Sequence, residues 1–449
     1  MKANPVDMTP WNSAPPEKLQ GVVLPARRFT YWKLVIRQFR KNRLAIWSLR
    51  FVIFLFVIAF LADVLANEKP LLCQYQGKVY APVFRNYGVQ LGLLRWPAPL
   101  VNAEWGTLAY DWAVHAPIPY QPQNLDKANE HGVSPFAHQH VRSMRWRHWM
   151  GTDELGRDVL AGMLHGTRVA LMVGIASMGL ALIIGLLLGA LAGFFGDEGL
   201  RISRARLLLN VLSSFPALFY AFGSRGYALQ DALADSVTSF LYQLFISLGI
   251  FIGFGVIGNS LAVLFKRIPI LNKKVRVPID LLISRLIEIM VSIPILFLII
   301  SVSAIVTKPS LLIVMVLIGL TGWTGIARLV RAELLRIRHL EYIEAARSLG
   351  FRELRILLRH ALPNALTPVL IAFAFGVAGA ILTESLLSFL GIGVPAETIT
   401  WGSMLSMARE TPSAWWLALF PGFAIFLTVT TYNLLGEGLT DAMDPRKKN

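Results

Sequence analysis

The amino-acid sequence predicts an all-α membrane protein, a polytopic transmembrane helix bundle that carries an extracytoplasmic loop lobe. Three observations lead there. Of the 449 residues, 55% are hydrophobic and only 16% are charged, with a mean hydropathy of +0.55; soluble domains of this length do not have that balance. Apolar runs of about twenty residues, the length that crosses a hydrocarbon core, recur along the chain. The basic residues, which give a formal net charge of +16, cluster beside those runs. There they set topology and touch anionic membrane lipid, so nucleic acid is not an expected partner. The single cysteine, Cys73, leaves no intrachain disulfide.

Taken in order, residues 1–43 read as a cytoplasmic tail, polar and proline-rich to about residue 30, and then a basic amphipathic helix over 31–43. The polar stretch is too long for the n-region of a removable signal peptide. The first span is 44–66, held with its N-terminus inside by Arg37, Arg40, Lys41 and Arg43. Arg50 lies near its cytoplasmic end, where it can snorkel. Residues 67–168 form the outer loop or lobe. Its Gly151–Val159 stretch, GTDELGRDV, sets up a helix start with Thr152 as N-cap and acidic residues in the first turn. Asp153 and Asp158 are expected to be structural. The second span is 169–196, where Gly185, Gly189 and Gly193 recur every fourth residue as a packing seam.

Residues 197–277 read as an inserted helical hairpin. An apolar run at 205–223, where Asn210 and Pro216 leave a re-entrant path open beside a full crossing, precedes a polar stretch and a clear span at 240–265. Arg201, Arg204 and Arg206 before it, and Lys266, Arg267, Lys273, Lys274 and Arg276 after it, put both ends on the cytoplasmic side. Gly249, Gly253 and Gly258 are candidates for a helix contact. The region 278–449 opens with a helix running to about 305. Arg285 and Glu288 stand one turn apart on it, expected at an interface with the loop at 339–364. A turn at Thr307–Ser310 leads to spans at 311–330 and 364–383. An outer segment, Glu384–Trp416, comes before the last span at 417–435. Eight spans result, and the terminal Arg446, Lys447 and Lys448 lie inside.

Two connected helices are expected between 339 and 364. The first covers Glu341–Leu349 and stops at Gly350, the residue that takes a left-handed cap without steric cost. The second ends at Pro363, which lacks an N–H. The segment is basic and flanked by spans, so it is a loop at the cytoplasmic surface. Glu344-Ala345-Ala346, then Gly350, then Leu362-Pro363 resembles the EAA loop of ABC-transporter permeases of the bacterial importer type. GTDELGRDVL with Gly166-Thr167-Arg168 resembles the dipeptide, oligopeptide and nickel branch, and Gly438–Arg446 resembles that family's closing segment. Ala66–Leu72 with Tyr75–Tyr80 and Asn86-Tyr87 is similar to the microcin-C-type peptide permeases.

The resemblance implies a type I importer permease core of about six spans plus the inserted hairpin. It implies a Gram-negative inner-membrane protein with both termini cytoplasmic and a periplasmic lobe at 67–168. It also implies partners: a second related permease, two ATP-binding subunits and a periplasmic solute-binding protein. Glu344, Ala345, Ala346, Gly350, Leu362 and Pro363 would couple to an ATP-binding subunit. No phosphate-cradling loop, zinc-protease or nucleophile-elbow motif occurs. The chain is therefore expected to be no enzyme and to bind no cofactor, with ATP and magnesium on the partner. Two other readings are an ion-coupled carrier, which needs ionisable residues near the bilayer midplane, and a membrane receptor or anchor with a ligand-binding lobe.

Overall fold

The computed structural model describes residues 31–90, 92–101, 103–197, 201–265, 268–305, 309–395 and 397–443. The predicted N-terminal tail, Lys266, Arg267, the Thr307-Lys308 part of the outer turn and the basic cluster at 446–448 lie outside them. Helix α1 (Tyr31–Phe39) is amphipathic, and it buries Val35 against Ala442 and Met443 from the other end of the chain. Helix α2 (Arg43–Leu65) starts at Asn42, whose side chain accepts the Ala45 N–H at 3.2 Å. Its buried residues, Ala45, Ser48, Val52, Leu55, Ala59 and Ala62, fall on one helical stripe. Arg50 lies over the Trp47 ring at 5.4 Å.

The lobe corrects the all-α expectation locally. Leu72–Tyr75 (β1), Lys78–Tyr80 (β2) and Trp112–Val114 (β3) form an antiparallel sheet in the order β2-β1-β3. Gln76 and Gly77 join β1 to β2 at φ of 52° and 73°, the turn handedness that suits a two-residue hairpin. Strands this short leave no period-two pattern to read. A short helix, α3 (Pro82–Gln90), follows β2.

Helix α4 (Val159–Ala190) continues through a wide π turn at Leu191–Phe195. It begins well before residue 169, and its N-cap is Asp158, which accepts the Ala161 N–H at 2.6 Å. Thr152 is not the cap. Gly151 and Gly156 each take φ of +78° and curl the segment between them into a loop. Thr152 is buried in that loop, accepting the Val133 N–H at 2.9 Å and donating to the Asn129 carbonyl at 2.8 Å.

The insertion folds as α5 (Arg204–Leu218), which a π turn extends to Gly223, then α6 (Gly226–Asp235) and α7 (Val237–Leu264). Asn210 and Pro216 stay inside the first arm. A short helix, α8 (Pro269–Asn272), precedes β5 (Lys274–Arg276), which pairs antiparallel with β4 (Arg201–Ser203). Both ends of the hairpin thus return to one place. Gly258 packs on Ser213 and the Leu209 carbonyl of α5, whereas Gly249 and Gly253 face open space.

The predicted helix at 278–305 is two helices, α9 (Ile279–Ser292) and α10 (Ile295–Ile305), bent by 80°. Pro294 causes the break, with Ile293 extended before it (φ −89°, ψ 123°). Arg285 does bond Glu288, at 2.6 Å, but both side chains are more than half exposed (67% and 58%) and neither is buried at an interface. The pair that ties α9 inward is Asp280 with Arg331, whose two contacts include one at 2.8 Å.

Helix α11 (Leu311–Ile337) is the centre of the bundle. The glycine seam of α4 lies against it: a Cβ on Gly185 would come within 2.7 Å of Ile326, and one on Gly193 within 2.6 Å of the Arg331 carbonyl. Helices α12 (Glu341–Ser348), α13 (Glu353–Ile356) and α14 (Leu362–Phe389) follow. The last two are α15 (Trp401–Glu410) and α16 (Trp415–Met443). Helix α14 passes the expected end at 383, so Glu384 is a buried helix residue rather than the start of an outer segment. Among the described residues, seven helices are long and apolar enough to cross a membrane, or eight if the bent pair α9–α10 counts as one span.

Candidate functional site

At one end of the bundle the chain turns between α11 and α14. Helix α12 carries Glu341 and Glu344 in its first turn and Arg347 in its last, the charge order that favours the helix dipole. Gly350 has φ of +78°. Its N–H reaches the Arg347 carbonyl at 2.9 Å, and the Phe351 N–H reaches the Ala346 carbonyl at 3.2 Å. This is a Schellman stop, as the glycine predicts. A Cβ at 350 would meet nothing within 4 Å, so it is the backbone angle alone that asks for glycine.

Pro363 does not end a helix. Helix α13 runs through a π turn at Leu357–Ala361 directly into α14, and Pro363 lies in the first turn of α14. The wide turn loosens the ladder where the proline withholds its N–H.

The predicted site residues divide between two faces. Glu344, Ala345, Gly350 and Pro363 are exposed, Leu362 is half-buried, and Ala346 is buried. Ala346 joins Ile343, Ile356, Leu357 and Ala361 in the main core, where its small side chain lets α12 lie close. Two features escaped the sequence reading. Arg347 donates to Glu353 at 3.0 Å and to the Arg338 carbonyl at 3.3 Å, and its guanidinium stands 5.6 Å over the Phe194 ring. It ties α12 to α13, to the end of α11 and to the π turn after α4. Leu349, Leu354 and Leu358 point outward, at 76%, 59% and 56% exposure. Leucines in an otherwise polar loop were the available signal.

At the opposite end the lobe sits on α15 and α16. Trp416 Nε1 donates to the Thr152 carbonyl at 2.9 Å, Thr411 to Glu154, and Gln123 to the Glu397 carbonyl at 3.3 Å. His148 is fully buried, with Nδ1 at 2.8 Å from Asp158 and Nε2 at 3.1 Å from Asp126. Its ring stacks on Tyr120 at 4.3 Å. Burial works against its charge, but the hydrogen bond and charge of Asp158, helped by Asp126, win and hold its pKa above the ordinary value. Asp126 is likewise desolvated, yet bonds from Asn129 and His148 keep its carboxyl below the usual range. Asp153 accepts from Arg157 at 2.6 Å and Asp158 caps α4, so each makes a structural contact. In α14 the Glu384 carboxylate accepts the Ser388 hydroxyl at 2.6 Å.

Comparison with known proteins bears on this arrangement. Residues 258–449 match the family described as binding-protein-dependent transport system inner membrane component. Residues 30–82 match the N-terminal TM domain of oligopeptide transport permease C. The chain is 26% identical over 433 residues to the peptidoglycan transport system permease protein YejE of Agrobacterium fabrum, covering 92% of each chain. It is 27% identical to the inner membrane ABC transporter permease protein YejE of Escherichia coli, covering 91% of this chain and 96% of that one. It is 31% identical to the dipeptide transport system permease protein DppC of Alkalihalophilus pseudofirmus, covering 67% and 73%. These relatives support a permease over an ion-coupled carrier or a receptor. With its apolar spans and these matches, the chain belongs to the binding-protein-dependent transport system inner-membrane components, as a multi-pass permease subunit of an ABC transporter.

Proposed function

We propose that this permease carries peptides or related small solutes inward, powered by ATP hydrolysis on a separate subunit. The peptide reading rests on the named dipeptide and peptidoglycan permeases among its relatives. The coupling reading rests on one observation, the exposed face at 341–358, where leucines stand among charged residues of both signs. It stands on a base of buried Ile343, Ala346 and Ile356 and is braced by Arg347. Such a turn transmits force, because its outer face is free while its inner face is part of the core. An ATP-binding subunit docks on Glu344, Ala345, Gly350 and the exposed leucines. Ala346, Leu362 and Pro363 shape the turn from behind. The assembly contains a second related permease, two ATP-binding subunits and an outer solute-binding protein. The coupling turn and both termini face the cytoplasm, and the lobe faces the periplasm.

Leu349→Asp tests the docking face directly. The side chain is 76% exposed, so the change leaves the fold intact. The expected outcome is normal membrane insertion with loss of the co-purifying ATP-binding subunit and of uptake. Gly350→Val should weaken the same contact, because a left-handed residue with a Cβ costs about 1–2 kcal/mol. Full retention of the partner and full transport in both variants would overturn the coupling assignment.

A further inference from the structure

We infer that the lobe rests on the membrane through an aromatic foot, and that its partner there is the interfacial layer of lipid. The level of that layer can be read from α16. From Trp415 to Gly436 the helix has no charged side chain, and at 1.5 Å per residue this stretch is about 33 Å long, close to the hydrocarbon thickness. Glu437 marks one boundary, so Trp415 stands at the other, where tryptophans of the interfacial belt sit.

Phe136 belongs to the lobe, yet it stacks on Trp415, with ring centroids 6.3 Å apart and planes 21° apart. It is 84% exposed, in a turn where the Ala137 N–H bonds the Ser134 carbonyl. Trp415, Leu419, Phe423 and Phe426 are also exposed and follow one another at helical spacing, so they form one outward stripe down α16. Phe136 caps that stripe and extends it into the lobe. Arg147 donates to the Pro135 carbonyl at 2.9 Å, which sets a guanidinium beside the same turn, the cation that anionic headgroups attract. The placement is rigid. Trp416 Nε1 is bonded to the Thr152 carbonyl, and a Cβ on Gly151 would come within 3.0 Å of that nitrogen. Lipid is the occupant because the apolar surface is continuous with a spanning stripe and ends at the membrane boundary. Burial of an aromatic ring there is favourable in proportion to its apolar area.

The test is a fluorescent environment-sensitive label on Phe136→Cys, in the assembled transporter reconstituted in vesicles containing anionic phospholipid. Cys73 is fully buried, so the new thiol labels selectively, and unmodified protein serves as the background control. Phe423→Cys, on the same stripe, gives the lipid-exposed reference. The expected result at 136 is blue-shifted emission, strong quenching by phospholipid carrying a nitroxide near its headgroup, and weak quenching by aqueous iodide. Strong iodide quenching without lipid quenching would overturn the inference. Shielding from both quenchers would also overturn it, since that would show another protein chain covering the foot.

Discussion

Gly185 and Gly179 are neighbours on one helix, and nothing in composition tells them apart. A side chain at 185 would strike Ile326 and the Trp323 carbonyl, whereas one at 179 would meet nothing within 4 Å. The two therefore make a matched pair. Gly185→Leu is expected to destabilise the detergent-solubilised protein by about 1–3 kcal/mol, the usual range for overpacking. Gly179→Leu is expected to be neutral or mildly stabilising, because leucine is the better helix former. Thermal unfolding followed by size-exclusion chromatography reads both. Equal losses would show that the α4–α11 seam is not a close contact. The every-fourth-residue spacing was legible in the sequence. Which helix it faced was not, since α11 lies far along the chain.

Prolines show the same division among elements. Pro294 bends a helix pair by 80°, while Pro216, Pro368 and Pro421 sit inside continuous helices and Pro363 opens one. The residue removes an N–H in every case; what differs is whether the preceding residue turns extended, as Ile293 does, or the helix runs on through the proline, as at Pro368 and Pro421, with a π turn just before Pro363. The lobe is the element that depends on pH. His148 is held protonated above its unfolded value near 6.5, so its contribution is complete below that value and fades as pH rises through the folded one. Asp126 is held below its usual 3.8, so its contribution is present above that value and is lost on stronger acidification. Protection factors for hydrogen exchange over 120–158, taken relative to the intrinsic amide rate at each pH, should be higher at about pH 6 than at about pH 8 in the native protein. The difference should vanish in His148→Gln. A lobe with the same protection at both pH values would remove His148 from this role.

For the whole molecule, exposed positions report sidedness. Val101, Tyr227 and Ile270 are well exposed, at 55%, 82% and 70%, as is Leu349, at 76%, in the chain freed of its ATP-binding subunit, so failure to label one of them there means it faces the other side. An impermeant thiol reagent added from outside should reach Val101→Cys and Tyr227→Cys but not Ile270→Cys or Leu349→Cys. The pairing of β4 with β5 and the contact of α6 with the start of α11 run the hairpin the full height of the core. Outside labelling at 270 would therefore refute both the topology and the hairpin as a two-pass insertion.

The sequence by itself determined the membrane class, the order of the apolar runs and the glycine stop at 350. These depend on local quantities: run length, charge beside a run, and one residue's backbone freedom. The tertiary structure decided the rest. It moved the cap of α4 from Thr152 to Asp158, paired Asp280 with Arg331 while Arg285 stayed on the surface, and turned Ala346 inward and Leu349 outward. It also carried α14 beyond Glu384 and split the helix at Pro294. Each of these outcomes depends on which distant segment lies opposite, because a buried polar group or a small residue is favourable only when its partner is in place.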